Sequence, residues 1–236
     1  MTRKRTKPND EDEPKVTKQR RAKRESAKKK EDTAENESDS PIVILVAVDN
    51  TLNNFNKQVI EAAKKSREIK QRFPIEERSG VVQENFDEQW RAEVTKIYEA
   101  AGYTAALDIL TGAKDALDEM LEAGFDVRLV DTPETVADKL AWVKDKLGSH
   151  FASRLIAIND KTLLRGDVLI DDKPVAGLLE PTWHHVLYDQ PYNENLKEKA
   201  RLTSWHNWKK QKDLKTLLTK AAAAKSKPPP APSSTS

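Results

Sequence analysis

The 236-residue chain contains no cysteine, and this absence excludes several classes of protein. Without thiols there is no disulfide framework, no thiolate zinc or iron–sulfur site, and no cysteine nucleophile. Long hydrophobic runs are also missing, since no segment approaches the ~18 consecutive apolar residues of a transmembrane helix. The N-terminus lacks the apolar stretch of a secretory signal and is too acidic for an organellar transit peptide. We therefore expect a soluble protein without a membrane partner, located in the cytoplasm, or in the nucleus of a eukaryote.

An excess of charge of one sign is lacking as well, because 41 Lys and Arg nearly balance 39 Asp and Glu. This balance argues against a wholly basic nucleic-acid-binding protein. The charges are unevenly placed: residues 1–30 hold 13 basic and 5 acidic side chains, whereas residues 31–40 hold 5 acidic and no basic ones. Residues 1–40 also contain no Leu and no aromatic residue, so we predict a disordered charged tail there.

The rest of the chain divides into one domain and a short end. Residues 41–218 form the predicted domain, which is long enough to bury a substantial core. Residues 219–236 contain an alanine run followed by a Pro- and Ser-rich stretch. Because such a composition cannot build a packed core, we predict a second disordered tail over 219–236.

Strand-like segments recur along the predicted domain. Residues 42–48 (IVILVAV) are a continuous apolar run, as expected for a strand that is buried on both faces. Further strands are predicted at 125–130, 154–158, 167–170 and 185–188.

Helix-like segments alternate with these strands. A charged helical region covers 54–101, with interruptions near Phe73-Pro74 and Ser79-Gly80. Thr111 is a candidate cap for a helix that ends at Gly124. Strands alternating with helices predict an α/β fold with a mostly parallel sheet covered on both faces.

Two more helices are predicted towards the end of the domain. Thr132 followed by proline is a helix-start pattern, and a final helix is expected from about Ser204. The apolar faces assigned to these two helices are Val136, Leu140, Val143 and Leu147 for the first, and Trp205, Trp208, Leu214 and Leu217 for the second.

Acidic residues follow three of the predicted strands. Asp49 follows the first strand, Asp131 the second, and Asp171 with Asp172 the fourth. Ligands of open parallel sheets bind at the carboxyl ends of the strands. If these strands are neighbours, their carboxylates converge, and converging carboxylates are typical ligands of Mg²⁺.

Two motifs among these residues resemble those of the haloacid dehalogenase superfamily, and within it the 5′(3′)-deoxyribonucleotidases. Residues 47–52 (AVDNTL) align with D-x-D-G-[TV]-[LV], and residues 168–174 (VLIDDKP) are similar to LLIDDRP. The resemblance covers about 42–210 and implies a three-layer, Rossmannoid parallel sheet with a small helical cap at about 54–106. Further similar segments, in the same order, are KLAWV at 139–143, NDKT at 159–162, WHHVL at 183–187, SW at 204–205 and WK at 208–209.

The resemblance implies magnesium-dependent dephosphorylation of (deoxy)nucleoside monophosphates. In that reaction one Asp attacks phosphorus, and a second Asp acts as general acid and then as base. By resemblance, Asp49 takes the acid–base position and offers its backbone carbonyl to Mg²⁺, and Asp171 and Asp172 are the other candidate ligands. Lys139 takes the position of the phosphate-binding lysine, with Lys161 as the alternative. The substrate contacts implied in the same way are Thr132, Phe55 and Tyr98.

Two positions depart from the family pattern. Ala47 stands at the nucleophile position, where a methyl group can neither attack phosphorus nor bind a metal. Asp131 stands where the family has Thr, and at ~4 Å with an effective dielectric of ~20 two like charges repel by about 4 kcal/mol. The leading interpretation is therefore a nucleotidase-like pseudoenzyme that binds nucleotide, phosphate or a partner. Retention of Mg²⁺ stays open.

Two other functions also stay open. Asp131 or a water molecule could replace the missing nucleophile, which would make the chain a slow 5′-deoxyribonucleotidase. Alternatively, the basic segments 18–24 and 28–30 could bind nucleic acid or a protein partner, which would make it a scaffold.

Single residues likewise have simpler interpretations. Asp49 could be only a turn residue, and Lys139 could lie on a helix surface. Phe55 and Tyr98 could belong to the core rather than to a nucleoside pocket.

Overall fold

The computed structural model describes residues 40–65 and 88–226. Pro41–Ala222 form one compact unit. Except for Ser40, the tail predicted at 1–40 lies outside the described residues. The tail predicted from 219 begins later than expected, because residues 219–225 belong to the helix Lys212–Lys225, and residues 227–236 lie outside the described residues. The interruptions expected near Phe73 and Gly80 lie outside them as well, together with that part of the predicted cap.

Within the described residues, six parallel strands form a single sheet in the order β3-β2-β1-β4-β5-β6. The five predicted strands are confirmed. The sixth was not foreseen, because two residues are too short to show a strand pattern. The strands are β1 (Val43–Ala47), β2 (Asp126–Asp131), β3 (Leu155–Ala157), β4 (Val168–Asp171), β5 (His184–Tyr188) and β6 (Arg201–Leu202).

Helices alternate with the strands, so the predicted α/β class is confirmed. Three of them precede β2, and the first two, α1 and α2, belong to the region predicted as the cap. There α1 packs on α2 through Val59, Ile60, Ala63 and Val94. The α-helices of the described residues are α1 (Phe55–Lys65), α2 (Glu88–Tyr98), α3 (Ala113–Glu122), α4 (Val136–Lys146), α5 (Ser149–Ala152) and α6 (Lys212–Lys225).

The two faces of the sheet are covered differently. Ile44 and Val46 point to one face, where they join a large core with Leu117 of α3 and Trp142 of α4. Leu45 points to the other face, and its smaller core contains Val130, Leu169 and Trp183. Residues from the segment 158–183 complete this second core, so that the segment forms the outer layer on that side.

The strand register brings three acidic strand ends to one edge of the sheet. Ala47 of β1 pairs with Val130 of β2, and Val46 of β1 pairs with Ile170 of β4. Asp131 and Asp171 are the last residues of β2 and β4, and Asp49 lies two positions after the end of β1. The carboxyl ends of the three central strands therefore deliver their side chains to the same place.

The starts of two helices differ from the prediction. Gly112, rather than Thr111, occupies the N-cap of α3, and its φ of 81° is a left-handed conformation that glycine adopts without strain. Thr132 precedes a short 3₁₀ helix, Pro133–Thr135, so that α4 itself begins only at Val136.

The buried face of α4 is also rotated from the predicted one. Val143 and Leu147 are buried as expected, but Val136 and Leu140 are exposed. Lys139 and Trp142 take their places in the interior. The apolar pattern was misleading because it counts lysine as a surface residue, whereas the Lys139 ammonium has carboxylate partners inside the fold.

The last helix was predicted about eight residues too early, since α6 begins at Lys212 and not near Ser204. Asn207 has a left-handed φ of 57°, which ends any helix that includes Trp205 and Trp208. Trp205 instead lies in a loop, stacks on Tyr188 with 5.6 Å between the ring centroids, and is buried. The buried leucines of α6 are Leu214 and Leu218, not the predicted Leu217.

The two tryptophans that precede α6 should differ in their contribution to stability. The Trp205 indole N–H donates to the buried carbonyl of Thr51 at 2.7 Å, whereas that of Trp208 donates to the half-exposed carboxylate of Glu119 at 2.9 Å. Trp205→Phe leaves a buried acceptor without a donor, at a cost of about 1–3 kcal/mol beyond the lost packing. Trp208→Phe leaves a carboxylate that water can reach. Urea denaturation should show the larger loss for Trp205→Phe, and equal losses would contradict this account.

Candidate functional site

A pocket of ≈ 630 Å³ opens at the carboxyl edge of the sheet, where β1, β2 and β4 end. Its walls contain nine of the ten residues that the sequence analysis singled out, and only Lys139 lies behind the wall rather than in it. The predicted residues that line the pocket are Ala47, Asp49, Phe55, Tyr98, Asp131, Thr132, Lys161, Asp171 and Asp172.

Lys139 is completely buried beneath the pocket. Its ammonium forms an ion pair with the carboxylate of Asp49 and lies 3.4 Å from Oδ2 of Asp131. The ring of Phe55 covers it with 5.1 Å between the nitrogen and the ring centroid. A buried ammonium is tolerated only with such partners. Lys139, which the resemblance makes the phosphate-binding lysine, is therefore an internal counter-ion for two carboxylates in this structure.

Asp131 has one satisfied and one unsatisfied oxygen. Oδ1 accepts a hydrogen bond from the backbone N–H of Thr132 at 2.8 Å, whereas Oδ2 is buried and has no hydrogen-bond partner. At 3.4 Å, its contact with Lys139 is an ion pair rather than a hydrogen bond. Burial, reinforced by the charge of Asp49, raises the pKa of Asp131 to about 6 although Lys139 opposes the shift. Asp131 thus binds protons more readily than an ordinary aspartate.

The end of β4 contains two acidic residues with different partners. Asp171 forms an ion pair with the ammonium of Lys161, and Asp172 accepts a hydrogen bond from the hydroxyl of Tyr192. Burial, and next the neighbouring charge of Asp171, raise the pKa of Asp172 to about 7. The two adjacent carboxylates are therefore held by separate neighbours rather than being left open together.

The loop after β1 is fixed by residues that the sequence analysis missed. Asn53 donates from its side chain to Asp49 at 2.9 Å and accepts from the backbone N–H of Asn50 at 3.2 Å. Gln190, far along the chain, donates to the carbonyl of Asn50 at 2.6 Å. Asn193 supports the neighbouring strand end in the same way, with its amide on the carbonyl of Asp172 at 2.9 Å. The contacts of Gln190 and Asn193 join distant segments, so no local pattern could have revealed them, whereas those of Asn53 stay within the loop.

Lys161 is held in place by a tightly packed turn. It begins the 3₁₀ helix Lys161–Leu163, whose N-cap Asp160 accepts from the backbone N–H groups of Thr162 at 2.9 Å and Leu178 at 2.8 Å. Any side chain at Gly177 would overlap those of Asp160 and Thr162. The glycine therefore allows two loop segments to approach closely, and this approach sets the position of Lys161 at the pocket.

Aromatic residues of the cap region form the outer wall of the pocket. The ring of Phe55 lies 5.6 Å from that of Tyr98 and 5.5 Å from that of Tyr103. The hydroxyl of Tyr103 donates to the backbone carbonyl of Phe55 at 2.9 Å. Because Phe55 and Tyr98 line the pocket, their rings, which are tilted by 50° to each other, give it an apolar aromatic surface.

The donor groups do not present a metal site as they are arranged. Within residues 40–65 and 88–226, no cluster of three or more His, Cys, Asp or Glu side chains has a spacing that could hold a metal ion. Asp49, Asp171 and Asp172 are oxygen donors of the kind that Mg²⁺ prefers. The carboxylate of Asp171, however, is paired with the Lys161 ammonium. The carboxylate of Asp49 is paired with Lys139, although the resemblance assigns its backbone carbonyl, and not its side chain, to the metal. The magnesium expected from the resemblance thus does not fit this arrangement.

The parallel sheet with helices between its strands is a Rossmannoid α/β fold, which solved structures of haloacid dehalogenase-like proteins share. Among solved structures, a haloacid dehalogenase-like protein of unknown function from Agrobacterium tumefaciens is similar, with a TM-score of 0.52 at 12% identity. The similarity covers 78% of this chain and 100% of that one. In the part of the chain that the structure describes, no helix has the length and apolar character needed to span a membrane.

Comparison of sequences narrows this class to a family. The model of the family described as 5′ nucleotidase, deoxy (pyrimidine), cytosolic type C matches residues 40–220. A Bordetella pertussis protein whose name assigns it provisionally to the 5′(3′)-deoxyribonucleotidases is 37% identical over 175 residues, which is 71% of this chain and 94% of the relative. The human cytosolic-type 5′(3′)-deoxyribonucleotidase is 33% identical over 191 residues, covering 73% and 94%. The chain belongs to the 5′(3′)-deoxyribonucleotidase family.

The raised pKa of Asp131 gives a prediction for stability against pH. Its pKa is about 6 in the folded protein against an ordinary value of 3.8, so the folded state binds the proton more tightly. This contribution to stability is complete below pH ~4 and is lost as the pH rises through about 6. Thermal unfolding of Asp131→Asn should therefore show a smaller loss of stability from pH 4 to pH 7 than the natural protein.

The matched control for this experiment is Asp145→Asn, because the Asp145 side chain is 70% exposed. Its pH profile should overlay that of the natural protein. If Asp131→Asn also retained the full loss of stability, the proton that is released near pH 6 would belong to another group. Asp172 would then be the first to test, since its pKa is raised in the same direction.

Proposed function

We propose that this protein binds (deoxy)nucleoside monophosphates in the pocket but lacks the covalent step of its family. The observation that carries the proposal is the residue at position 47. The resemblance puts the attacking carboxylate at this position, and Ala47 lines the pocket beside Asp49. A methyl group cannot attack phosphorus, and loss of a covalent nucleophile costs several orders of magnitude in rate.

The composition of the pocket supports a nucleotide as the ligand. Its volume of ≈ 630 Å³ lies within the range of small-molecule sites. Lys161 and the hydroxyl of Thr132 provide a charge and a hydrogen-bond donor for a phosphate at the strand ends. Phe55 and Tyr98 provide rings on which a nucleoside base stacks at the pocket mouth. The names of the relatives from Bordetella pertussis and human both specify deoxyribonucleotides, which favours these as the ligands.

A second candidate function is slow hydrolysis by a relocated carboxylate. Asp131 lines the same pocket as Ala47 and contacts the same lysine as Asp49. In this reaction Oδ2 of Asp131 attacks phosphorus and the P–O bond to the nucleoside breaks. Asp49 gives its proton to the leaving oxygen and then takes one from the water that hydrolyses the aspartyl-phosphate.

Phosphate release from a panel of deoxynucleoside monophosphates, with and without Mg²⁺, distinguishes these functions. We expect background release from the natural protein and at least ~10²-fold more from Ala47→Asp, with Ala47→Asn as the uncharged control of similar size. Because a carboxylate at position 47 would crowd Asp49 and Asp131, the double variant Ala47→Asp/Asp131→Thr should be the more active. Calorimetric titration with the same nucleotides measures binding separately from turnover.

Two results would overturn the leading proposal. Turnover by the natural protein that disappears in Asp131→Asn would establish the relocated carboxylate as the nucleophile. Failure of the natural protein to bind any deoxynucleoside monophosphate would remove the nucleotide as its ligand.

The basic segments 18–24 and 28–30 support a third proposal, an association with nucleic acid. They lie outside the described residues, so the proposal depends on their composition alone. Deletion of residues 1–40 should then weaken DNA or RNA binding and reduce its salt dependence, as measured by fluorescence anisotropy at several salt concentrations. Unchanged binding would exclude the tail as a nucleic-acid-binding segment.

The cytosolic-type human relative favours a cytoplasmic location for this protein.

A further inference from the structure

We infer that Lys161 is the resident cation of this pocket: its ammonium occupies the carboxylate of Asp171, so a divalent ion binds there only by displacing it. The inference concerns the metal preference of the pocket and does not depend on nucleotide turnover.

The first argument is the burial of this ion pair. The Asp171 side chain is 3% exposed and that of Lys161 is 17% exposed. Because little water screens the pair, the two charges interact more strongly than a surface pair does. Removal of either partner would leave the other as a buried, unpaired charge, which is stabilised only by a new group of opposite charge. For Asp171, that new group is a cation.

The second argument is that Lys161 is held by its backbone. The indole N–H of Trp183 donates to the carbonyl of Lys161 at 3.3 Å, and Trp183 is itself buried in the smaller core. On the other side, Asp160 fixes the start of the 3₁₀ helix through the N–H of Thr162. The ammonium is therefore presented to Asp171 by a rigid turn rather than reaching it by chance.

The third argument is the charge of the pocket lining. It contains only two lysines, Lys161 and Lys173, against six acidic residues. Such an excess of carboxylates attracts cations, yet no metal-type cluster exists among the described residues. The acidic residues of the lining are Asp49, Glu99, Asp131, Glu134, Asp171 and Asp172.

Calorimetric titration of the full-length protein with MgCl₂ tests the inference directly. Lys161→Met, which retains the length of the side chain without its charge, should bind Mg²⁺ about tenfold more tightly than the natural protein, equivalent to ~1.4 kcal/mol. Addition of Asp171→Asn to this variant should abolish the gain. Equal or weaker binding by Lys161→Met would overturn the inference.

Two control variants separate displacement from a general effect of charge. Lys173→Met removes the same charge from the same lining, but Lys173 contacts Asp171 through its backbone N–H, at 3.3 Å. Its gain in Mg²⁺ affinity should be clearly smaller than that of Lys161→Met. Lys161→Arg retains a cation beside Asp171 and should bind Mg²⁺ no more tightly than the natural protein. Equal gains in Lys173→Met and Lys161→Met would mean that only the summed charge matters, against the inference.

A measurement on the natural protein covers the case in which Lys161→Met does not fold. Acetic anhydride acetylates accessible amines in their neutral form, so that a buried ion pair slows the reaction, and mass spectrometry quantifies the label at each lysine. If Mg²⁺ displaces the ammonium, millimolar MgCl₂ should increase the labelling of Lys161, while that of the exposed Lys144 stays constant. Labelling of Lys161 that does not change up to saturating Mg²⁺ would contradict displacement.

Discussion

The buried ammonium of Lys139 is the interaction on which the candidate site depends. It contacts the carboxylates of Asp49 and Asp131, which follow neighbouring strands, and lies beneath the ring of Phe55. Without a cation between them, two carboxylates at ~4 Å and an effective dielectric of ~20 would repel by about 4 kcal/mol. One side chain of α4 thus joins β1, β2 and the first helix of the cap region. The shape of the pocket is a consequence of this electrostatic balance.

The central features of the fold and site could be predicted from the sequence because their signals are local. The run at 42–48 is apolar at every position, as a strand at the centre of a parallel sheet requires. Asp49, Asp131 and Asp171 follow such runs, and parallel topology brings their strand ends to one edge. Convergence of these side chains therefore depends on strand order, which the sequence analysis left as a condition and the structure supplies.

The rest could not be predicted because it depends on contacts between distant segments. A lysine within an amphipathic helix is assigned to the surface unless its charged partners are known. The partners of Lys139 are carboxylates at the ends of two strands, one of which lies far from it in the sequence. The same reason applies to Gln190, which closes the loop after β1 across 140 positions. Trp205 is a third residue whose environment could not be predicted, because its spacing of three residues from Trp208 is typical of one face of a helix. The left-handed Asn207 breaks that helix, and the indole instead bonds to Thr51.

The same electrostatics explain how a site of this kind can lose its chemistry and retain its form. In our proposal, Ala47 removes one carboxylate from the surroundings of Lys139, and Asp131 supplies one from the adjacent strand. The lysine still has two anionic neighbours, so its burial remains tolerable. A carboxylate whose Oδ2 faces an ammonium is, however, a poorer nucleophile than one directed at the phosphate. Stability of the fold requires enough carboxylates around Lys139 to balance its charge, whereas catalysis requires one carboxylate at a particular position. Substitutions that conserve only the number of carboxylates should therefore preserve stability and abolish turnover.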